Sequence, residues 1–392
     1  MTTAITNVRA VLATRVTEPL TIVIDDGVIT DLGEGAVPTG AIDGHGALML
    51  PGLIDTHSDG LEKEIAPRRT ARFPLDYAVR SFEAKVRTAG VTTVCHGISY
   101  QEKPRAERTV DGAREMCAAI TARRDDASAA VDHRVLYRFE ARDEHALGPL
   151  LADLSAQGTP DGAAPLLSFE DHTPGQGQFR DIAQFEAAVD PAQLADGETV
   201  KSYVERLMAE AEAVREVRDL NRARLTPLAK NGAIRLLAHD LETLDDVDEA
   251  LDAGATIAEF PLTVDVAKRA RDAGMTTVMG APNALRGKSH SGNTSARELI
   301  AAGLCDVLAS DYMPSAMLAS VFVMASDGTC TLPEAVRLVT AGPAAMIGSS
   351  AVGRIEVGAP ADLTLVDDSG DWPVVLDVHR GADHPARHAF QP

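Results

Sequence analysis

The sequence is poor in cysteine and in positive charge, and it lacks long apolar runs. Its four cysteines form neither a C-x-x-C pair nor a secreted disulfide framework, which favours a reducing cytoplasm. Lysine and arginine number 37 against 58 acidic residues, a formal charge of -21, so no basic surface for nucleic acid or an anionic membrane is expected. We expect neither a membrane span nor a secretion signal, because no apolar stretch is long enough.

What the sequence does contain is the composition of a large folded protein. Of its 392 residues 45% are hydrophobic, with 31 glycines and 21 prolines, which excludes a disordered or fibrous chain. A (β/α)8 barrel takes ~250 residues, so a chain of this length has room for a barrel and a second, smaller unit.

Both ends of the chain are predicted to be β. Residues 21–29 hold two β-rich runs around an Asp-Gly dipeptide, which indicates a hairpin. Residues 352–358 and 361–366 are predicted strands that follow a helical segment at residues 332–347. Because the two ends share this character, we expect them to pair with each other.

Between the ends, short apolar runs alternate with amphipathic stretches, as in a parallel sheet covered by helices. One of these stretches places Val204, Leu207, Ala211, Val214 and Val217 on one side of a charged helix. The pattern predicts eight strands, at residues 52–56, 91–95, 135–139, 165–169, 234–238, 257–260, 276–280 and 306–309.

Histidines and carboxylates follow several of these strands, at the ends where a barrel carries its reactive groups. His57 and Asp59 lie two residues apart, so both side chains point to one face and can hold one ion. Imidazole with carboxylate suits zinc, manganese or iron(II). Such a pair alone is more often a polar turn, but His172 and His239 repeat it at equivalent positions.

Three glutamates also follow strands. Glu140 is a candidate to bridge two ions, because a carboxylate has two oxygens, or else it forms an ion pair with Arg138 or Arg142. Glu170 and Glu259 could orient a ligand histidine through its other nitrogen or pair with a nearby arginine. We do not predict either of them as a metal ligand.

Asp311 follows the last predicted strand, where a carboxylate can touch a metal and take a proton from activated water, or instead cap a helix. The loop at residues 286–293 combines glycine with arginine and lysine, the groups that bind phosphate oxygens, although most such loops are only loops. Arg68, Arg69 and Arg72 add positive charge behind the first barrel strand, unless they form a solvated turn.

These residues resemble a known family. The hairpin followed by PGLIDTH resembles the amidohydrolase superfamily, and the blocks HSDGLEK, SFEDHTPGQGQF, AHDLET, IAEFPLT, MGAPNALRGKSHSGN and ASDYMPS are similar to its PhnM-type enzymes of the carbon-phosphorus lyase pathway. The resemblance implies an α/β fold, in which residues 51–350 form a metal-dependent (β/α)8 TIM-like barrel. Residues 1–50 plus 351–392 would form a small β-sandwich.

The resemblance also implies an activity, the hydrolysis of α-D-ribose 1-methylphosphonate 5-triphosphate to the 5-phosphate and pyrophosphate. We expect a phosphorylated sugar as the small-molecule substrate and a homodimer as the assembly. Two divalent ions, zinc, manganese or iron, would be held by His57, Asp59, Glu140, His172, His239 and Asp311, with Glu140 as the bridge and Asp311 as the catalytic residue. Substrate contacts would come from Lys63, Arg68, Arg138, Arg286, Lys288, Ser289 and His290.

Four positions depart from the pattern of that family. Gly60 replaces a common asparagine, Gly177 an arginine, Lys288 a glycine, and His96 a carboxylate. We predict that these changes line the mouth of the barrel and affect the choice of substrate rather than the metal core.

Two alternative functions stay open. The same metal centre could hydrolyse a C–N bond, by cyclic amide hydrolysis or deamination, because one barrel supports many reactions. The basic, glycine-rich loop favours a phosphorylated substrate over an amide. A non-catalytic scaffold is the third possibility, and it would be expected to show broken ligand positions, which this sequence does not.

Overall fold

The computed structural model describes residues 2–33, 37–68, 70–103, 108–156, 162–289 and 293–381. Its strands are β1 (Thr2–Ala10), β2 (Leu20–Asp25), β3 (Val28–Gly33), β4 (Ile42–Asp43), β5 (Leu48–Pro51), β6 (Leu53–Ser58), β7 (Val91–Tyr100), β8 (Asp132–Glu140), β9 (Leu166–Glu170), β10 (Arg235–His239), β11 (Ile257–Glu259), β12 (Thr276–Gly280), β13 (Val307–Ala309), β14 (Leu363–Asp367) and β15 (Val374–His379).

The helices cover the strands on the outside of the molecule. They are α1 (Gly60–Ile65), α2 (Leu75–Thr88), α3 (Val110–Arg124), α4 (Leu147–Ala156), α5 (Ile182–Ala188), α6 (Val200–Ala213), α7 (Arg215–Lys230), α8 (Leu244–Asp252), α9 (Val264–Asp272), α10 (Ala281–Arg286), α11 (Ala296–Ala301), α12 (Ser315–Ser326), α13 (Leu332–Arg337) and α14 (Ala341–Met346). None of the described helices is long and apolar enough to cross a membrane.

Strands β6 to β13 form one parallel sheet in the order of the sequence, and all eight predicted barrel strands are confirmed. The sheet curls until its first and last strands meet. Asp311 donates its backbone N–H to the carbonyl of His57 at 2.9 Å, and Asp59 donates to the carbonyl of Asp311 at 2.7 Å. This closure gives the (β/α)8 barrel and brings the ends of β6 and β13 into contact.

The barrel strands are apolar on both faces because both faces are buried. The side chains of Ile54, Cys95, Leu136, Leu237 and Val278 fill the barrel interior. A larger apolar layer lies between the strands and the surrounding helices. Since apolar packing occupies most of each strand, the side chains that face the mouth of the barrel lie at the C-terminal ends.

The two ends of the chain form a second, seven-stranded sheet, as predicted, in the order β15-β14-β5-β1-β2-β3 with β4 paired to β1. Antiparallel pairing of β14 with β5 joins the C-terminal part to the N-terminal part, with Thr364 opposite Leu50. The predicted hairpin is β2–β3, whose turn residues Asp26 and Gly27 have φ angles of 47° and 79°. Two positive φ angles are what a two-residue hairpin turn of this hand requires. The boundaries of the two domains stay a prediction.

The strand predicted at residues 352–358 is wrong, because no described strand covers it. Gly353 and Gly358 have φ angles of 83° and 92°, a left-handed conformation that breaks extended backbone. Ile355 nevertheless packs in the core of the terminal sheet. The apolar residue that suggested a strand is therefore buried in a segment without regular secondary structure.

The helix predicted at residues 332–347 is divided into α13 and α14. Between them, the carbonyl of Leu338 accepts from the N–H of Leu308 at 2.8 Å, and the carbonyl of Val339 accepts from Ile54 at 2.9 Å. These carbonyls bind barrel strands β13 and β6, so they cannot serve a continuous helix. The interruption helps to close the barrel at the end opposite its mouth.

The amphipathic stretch before β10 is also divided, into α6 and α7, with a break at Val214. The backbone there has φ −109° and ψ 22°, outside the helical region. Of the five residues predicted to share one face, Val204 alone is fully buried. The periodicity predicted the helices but not the bend between them.

Candidate metal centre

Glu259, at the end of β11, binds two of the predicted metal ligands. Its carboxylate oxygens lie 2.7 Å from Nδ1 of His57 and 2.8 Å from Nδ1 of His239. The hydroxyl of Ser168 donates a third hydrogen bond, at 2.8 Å. An ionised carboxylate only accepts, so each Nδ1 carries the proton and each Nε2 is left to bind a metal. Burial opposes the charge of Glu259, but His57 and His239 outweigh it and lower its pKa below the usual range.

Glu170, His172 and His239 form a group of possible metal ligands. One ligand atom from each lies within 4.8 Å of the other two. Among the described residues, no other three His, Cys, Asp or Glu side chains converge as closely. Glu170 Oε2 lies 3.8 Å from Nε2 of His172, and Nε2 of His239, the nitrogen that Glu259 leaves free, lies 3.4 Å from Oδ2 of Asp240. Two imidazoles and one carboxylate fit zinc, manganese or iron(II).

Glu140 lies on the opposite side of His172 from Glu170. Its Oε2 is 3.1 Å from Nδ1 of His172, and its Oε1 accepts from the backbone N–H of the same residue at 3.2 Å. This contact directs Nε2 of His172 towards Glu170. Glu140 therefore contacts one ligand histidine and does not lie between two ligand groups. Its ion-pair partner is Lys103, at 3.6 Å, rather than Arg138 or Arg142.

His57, Asp59 and Asp311 lie beside this group and line a cleft of about 230 Å³ together with His239. Nε2 of His57 is 3.4 Å from Oδ1 of Asp59. The alternative that Asp311 caps a helix is not observed, because α12 begins at Ser315 and its N-cap residue is Pro314. Burial raises the pKa of Asp311, which makes its carboxylate a better proton acceptor.

Arg138 crosses the site between two carboxylates. Its Nη1 donates to Asp59 Oδ1 at 2.6 Å, and its Nε donates to Glu170 Oε1 at 2.8 Å. The space for this contact comes from Gly97, where a Cβ atom would lie 2.7 Å from Asp59 Oδ1 and 2.9 Å from Cδ of Arg138. Burial by itself would raise the pKa of Asp59, but Arg138 and His57 outweigh it and lower the pKa.

Three residues just past barrel strands have left-handed backbone without being glycine. The φ angles of Asp240, Phe260 and Asp311 are 54°, 54° and 56°. Each donates its N–H to the carbonyl of a neighbouring strand, at Glu259, Val278 and His57 respectively. Such backbone costs on the order of 1–3 kcal/mol and tends to occur at functional sites. No role was predicted for Asp240 or Phe260, although Asp240 follows the predicted strand at residues 234–238.

The predicted substrate residues are not all in one place. Arg286, at the end of α10, and Ser289 line the cleft. Arg286 is exposed and makes no ion pair with a described residue, so its guanidinium is available to an anion. Lys288 is exposed and does not belong to the cleft wall, and His290 lies outside the described residues.

The remaining predicted substrate residues lie on α1 and in the turn after it. Lys63 is exposed, with its ammonium 5.2 Å from the ring centre of Tyr312. Arg68 is exposed in a turn that it forms with Ala71. Neither lines the cleft. Six polar residues that do line it had no predicted role of their own, although Asn293 belongs to the predicted phosphate loop and Thr294 follows it: Gln178, Asp240, Asn283, Asn293, Thr294 and Tyr312.

The prediction that His96 lines the mouth is wrong. Cys95 fills the barrel interior, so His96, the next residue on the strand, faces the helix layer and contacts Phe82. Nε2 of His96 is 2.9 Å from Nδ1 of His133, whose Nε2 is 2.8 Å from Glu83. The substitution at this position therefore does not touch the substrate cleft.

Two other departures from the family pattern have structural reasons. A Cβ atom on Gly60 would lie 2.3 Å from Cε2 of Phe82, so an asparagine does not fit there without movement of that ring. Gly177 has a φ angle of 56° and lies against Asp240. A Cβ atom on Gly177 would lie 3.5 Å from Cβ of Asp240. Gly177 thus borders the site, in agreement with its predicted position near the mouth.

Comparison with known proteins identifies the family. A sequence model of the amidohydrolase family matches residues 191–385. The chain is 35% identical over 327 residues to the α-D-ribose 1-methylphosphonate 5-triphosphate diphosphatase of Escherichia coli (strain K12), an alignment that covers 83% of this chain and 84% of the relative. The chain belongs to the amidohydrolase family. Amidohydrolases are hydrolases that generally use divalent metal ions, and the ligand group at the mouth of this amidohydrolase agrees with that property.

Solved structures of distant relatives share the fold of this amidohydrolase. Dihydropyrimidinase from Brevibacillus agri NCHU1002 superposes with a TM-score of 0.58 at 14% identity, covering 99% of this chain and 95% of the other. N-acetylglucosamine-6-phosphate deacetylase from Pasteurella multocida gives a TM-score of 0.57 at 15% identity, covering 97% and 99%. At these identities the likeness shows the fold alone.

Proposed function

We propose that this amidohydrolase is a metal-dependent diphosphohydrolase that converts α-D-ribose 1-methylphosphonate 5-triphosphate into the 5-phosphate and pyrophosphate. The observation that carries the proposal is the 35% identity to a diphosphatase of this specificity over most of both chains. The cleft supports it, because a guanidinium without an ion pair to a described residue lies beside the candidate metal centre. An enzyme that hydrolyses a neutral amide has little use for that cation.

The residues that would hold the ion are Glu170, His172 and His239, because their ligand atoms already converge. We assign to Glu170 the metal-binding role that was predicted for Glu140. The role of Glu140 is then to orient His172. Zinc, manganese or iron(II) fits this donor set. When bound, the ion supplies a Lewis acid that polarises phosphoryl oxygens and lowers the pKa of water at the site.

The residues of the chain then perform the remaining steps. Asp311 accepts a proton from the attacking water, and burial prepares it by raising the pKa of its carboxyl. The water oxygen forms a bond to phosphorus while the anhydride bond between the first and second phosphoryl groups breaks, and pyrophosphate leaves. Arg286 and Ser289, on the cleft wall, bind the phosphoryl oxygens and stabilise the charge that develops on them.

Phosphorus NMR tests this function. The Mn²⁺-loaded protein is incubated with α-D-ribose 1-methylphosphonate 5-triphosphate and, separately, with ATP and GTP. Pyrophosphate released from the ribose methylphosphonate substrate but not from the nucleotides is the expected result. Ring opening of a cyclic amide, or ammonia released from an amino heterocycle, with no pyrophosphate, would instead assign the enzyme to C–N bond hydrolysis.

We also propose that the enzyme works in the cytoplasm. Its four cysteines are free thiols in the structure, and three of them, Cys95, Cys117 and Cys305, are buried. A protein without disulfides suits a reducing compartment. Assembly as a homodimer stays a prediction, which analytical ultracentrifugation checks.

A further inference from the structure

The position of Arg138 bears on how many ions the centre holds. Its guanidinium binds Oδ1 of Asp59 and Oε1 of Glu170 at 2.6 and 2.8 Å. Asp59 Oδ1 is the same oxygen that faces Nε2 of His57, at 3.4 Å. The arginine is therefore attached to the oxygen with which Asp59 and His57 would share an ion.

Glu170 is affected in a different way. Its Oε1 carries the hydrogen bond from Arg138, whereas its Oε2 lies 3.8 Å from Nε2 of His172. A carboxylate that bridges two ions needs one oxygen for each of them. With Oε1 bound to an arginine that stays protonated, Glu170 has one oxygen left for an ion.

The positions of the other ligands agree with a single ion bound to Glu170. Glu170, His172 and His239 converge, whereas His57, Asp59 and Asp311 do not form a second such group among the described residues. The backbone also accommodates the arginine, because the missing side chain of Gly97 leaves room for Asp59 and Arg138 to meet. The contact is thus built into two neighbouring strands.

We propose that the centre holds one divalent ion, at Glu170, His172 and His239, and that the guanidinium of Arg138 takes the place of a second ion beside His57 and Asp59. The proposal rests on the metal assigned under the proposed function, but not on the substrate. Nη2 of Arg138 donates to no described residue, and Arg138 lines the cleft. The same side chain can therefore donate to a phosphoryl oxygen, as a second ion would have done.

Metal counting tests the proposal on the full-length protein. The protein is loaded with excess Mn²⁺, passed through a chelating desalting column and analysed by mass spectrometry for manganese per chain. One ion per chain, with the electron paramagnetic resonance spectrum of an isolated Mn²⁺, is the expected result. Two ions per chain with an exchange-coupled spectrum would overturn the proposal.

Two variants locate the ion. Asp59→Asn is expected to keep one Mn²⁺ per chain, because Asp59 is not a ligand of that ion; loss of the ion would contradict the proposal. Arg138→Met is expected to bind a second Mn²⁺, because the oxygens of Asp59 and Glu170 become available. If this variant still binds one, the arginine is not what excludes the second ion.

The controls separate a folding defect from an altered site. Circular dichroism and thermal unfolding establish whether Arg138→Met is folded, and if it is not, the wild-type count and Asp59→Asn decide the question. The count needs no substrate. A protein that binds one ion but does not release pyrophosphate would refute the proposed function alone, whereas one that binds two ions and releases pyrophosphate would refute the inference alone.

Discussion

Glu259 accepts a hydrogen bond from Nδ1 of His57 at 2.7 Å, across 202 residues of sequence. The other oxygen of the same carboxylate accepts from Nδ1 of His239, at 2.8 Å. One buried side chain therefore orients two histidines at once. The centre depends on a residue that need not touch the metal itself.

Glu259→Gln tests this dependence. An amide offers one acceptor oxygen where the carboxylate offers two, so it cannot accept from both Nδ1–H groups, and one histidine loses its orientation. We expect the affinity for Mn²⁺ to fall by about 10- to 100-fold, measured by isothermal titration calorimetry. Ser168→Ala, which removes only the third hydrogen bond to Glu259, is the matched control and should have a smaller effect. Equal affinities in wild type and Glu259→Gln would contradict the assignment.

Gly97→Ala tests the space between Asp59 and Arg138. The added methyl group would lie 2.7 Å from Asp59 Oδ1, so the pair must move apart. We expect kcat/KM to fall at least tenfold, and the protein to lose about 1–3 kcal/mol of stability from overpacking. Gly148→Ala, in α4, is the control, because a Cβ atom there has nothing within 4 Å. If both variants behave alike in the pyrophosphate assay, the close contact at Gly97 is unimportant.

Arg286→Met and Lys288→Met compare two cations of one loop. Arg286 lines the cleft, whereas Lys288 is exposed and lies outside its wall. Loss of a charge-assisted hydrogen bond costs about 1.5–3 kcal/mol, so we expect Arg286→Met to raise KM for the triphosphate by about 10- to 100-fold. Lys288→Met should change KM less than threefold. The reverse order of effects would mean that Lys288 is the phosphate contact.

Asp311→Asn tests the proton acceptor. An amide does not accept a proton from water at neutral pH, so we expect kcat to fall by about 10²- to 10⁴-fold. The manganese content per chain should not change, since Asp311 is not in the converging group of ligands. Measuring both quantities on one preparation distinguishes lost chemistry from lost metal. Full turnover in this variant would exclude the role of Asp311.

Glu83 makes the stability of the fold depend on pH. Burial raises the pKa of Glu83, but hydrogen bonds from His133 and Arg123 outweigh it and lower the pKa to about 2. A lowered pKa contributes stability that is fully present above the ordinary pKa of a glutamate, ~4.3, and is lost as the pH falls towards 2. The shift corresponds to a contribution on the order of 3 kcal/mol at neutral pH.

Urea unfolding of the wild type and Glu83→Gln measures that contribution. The variant should be less stable at pH 7, and the difference between the two proteins should shrink by about 2 kcal/mol by pH 3. Groups that do not contact Glu83 titrate alike in both proteins and cancel in the comparison. A difference that stays constant between pH 7 and pH 3 would show that the pKa of Glu83 is not lowered in the folded state.

The sequence alone determined the eight strands of the parallel sheet, the terminal hairpin and the strand ends that carry the chemistry. These features are local: a strand buried on both faces requires a run of apolar residues, and a two-residue turn requires Asp-Gly or a similar pair. The spacing of His57 and Asp59 likewise follows from the alternation of side chains along a strand. All eight barrel strands were predicted for that reason.

Tertiary structure alone decided how the polar residues divide their tasks. Glu140, Glu170 and Glu259 have the same chemistry and similar positions at strand ends, yet one orients His172, one converges with two histidines, and one orients His57 and His239. The curvature of the closed barrel sets which carboxylate meets which histidine. That curvature arises from packing among strands far apart in sequence, so no local pattern records it.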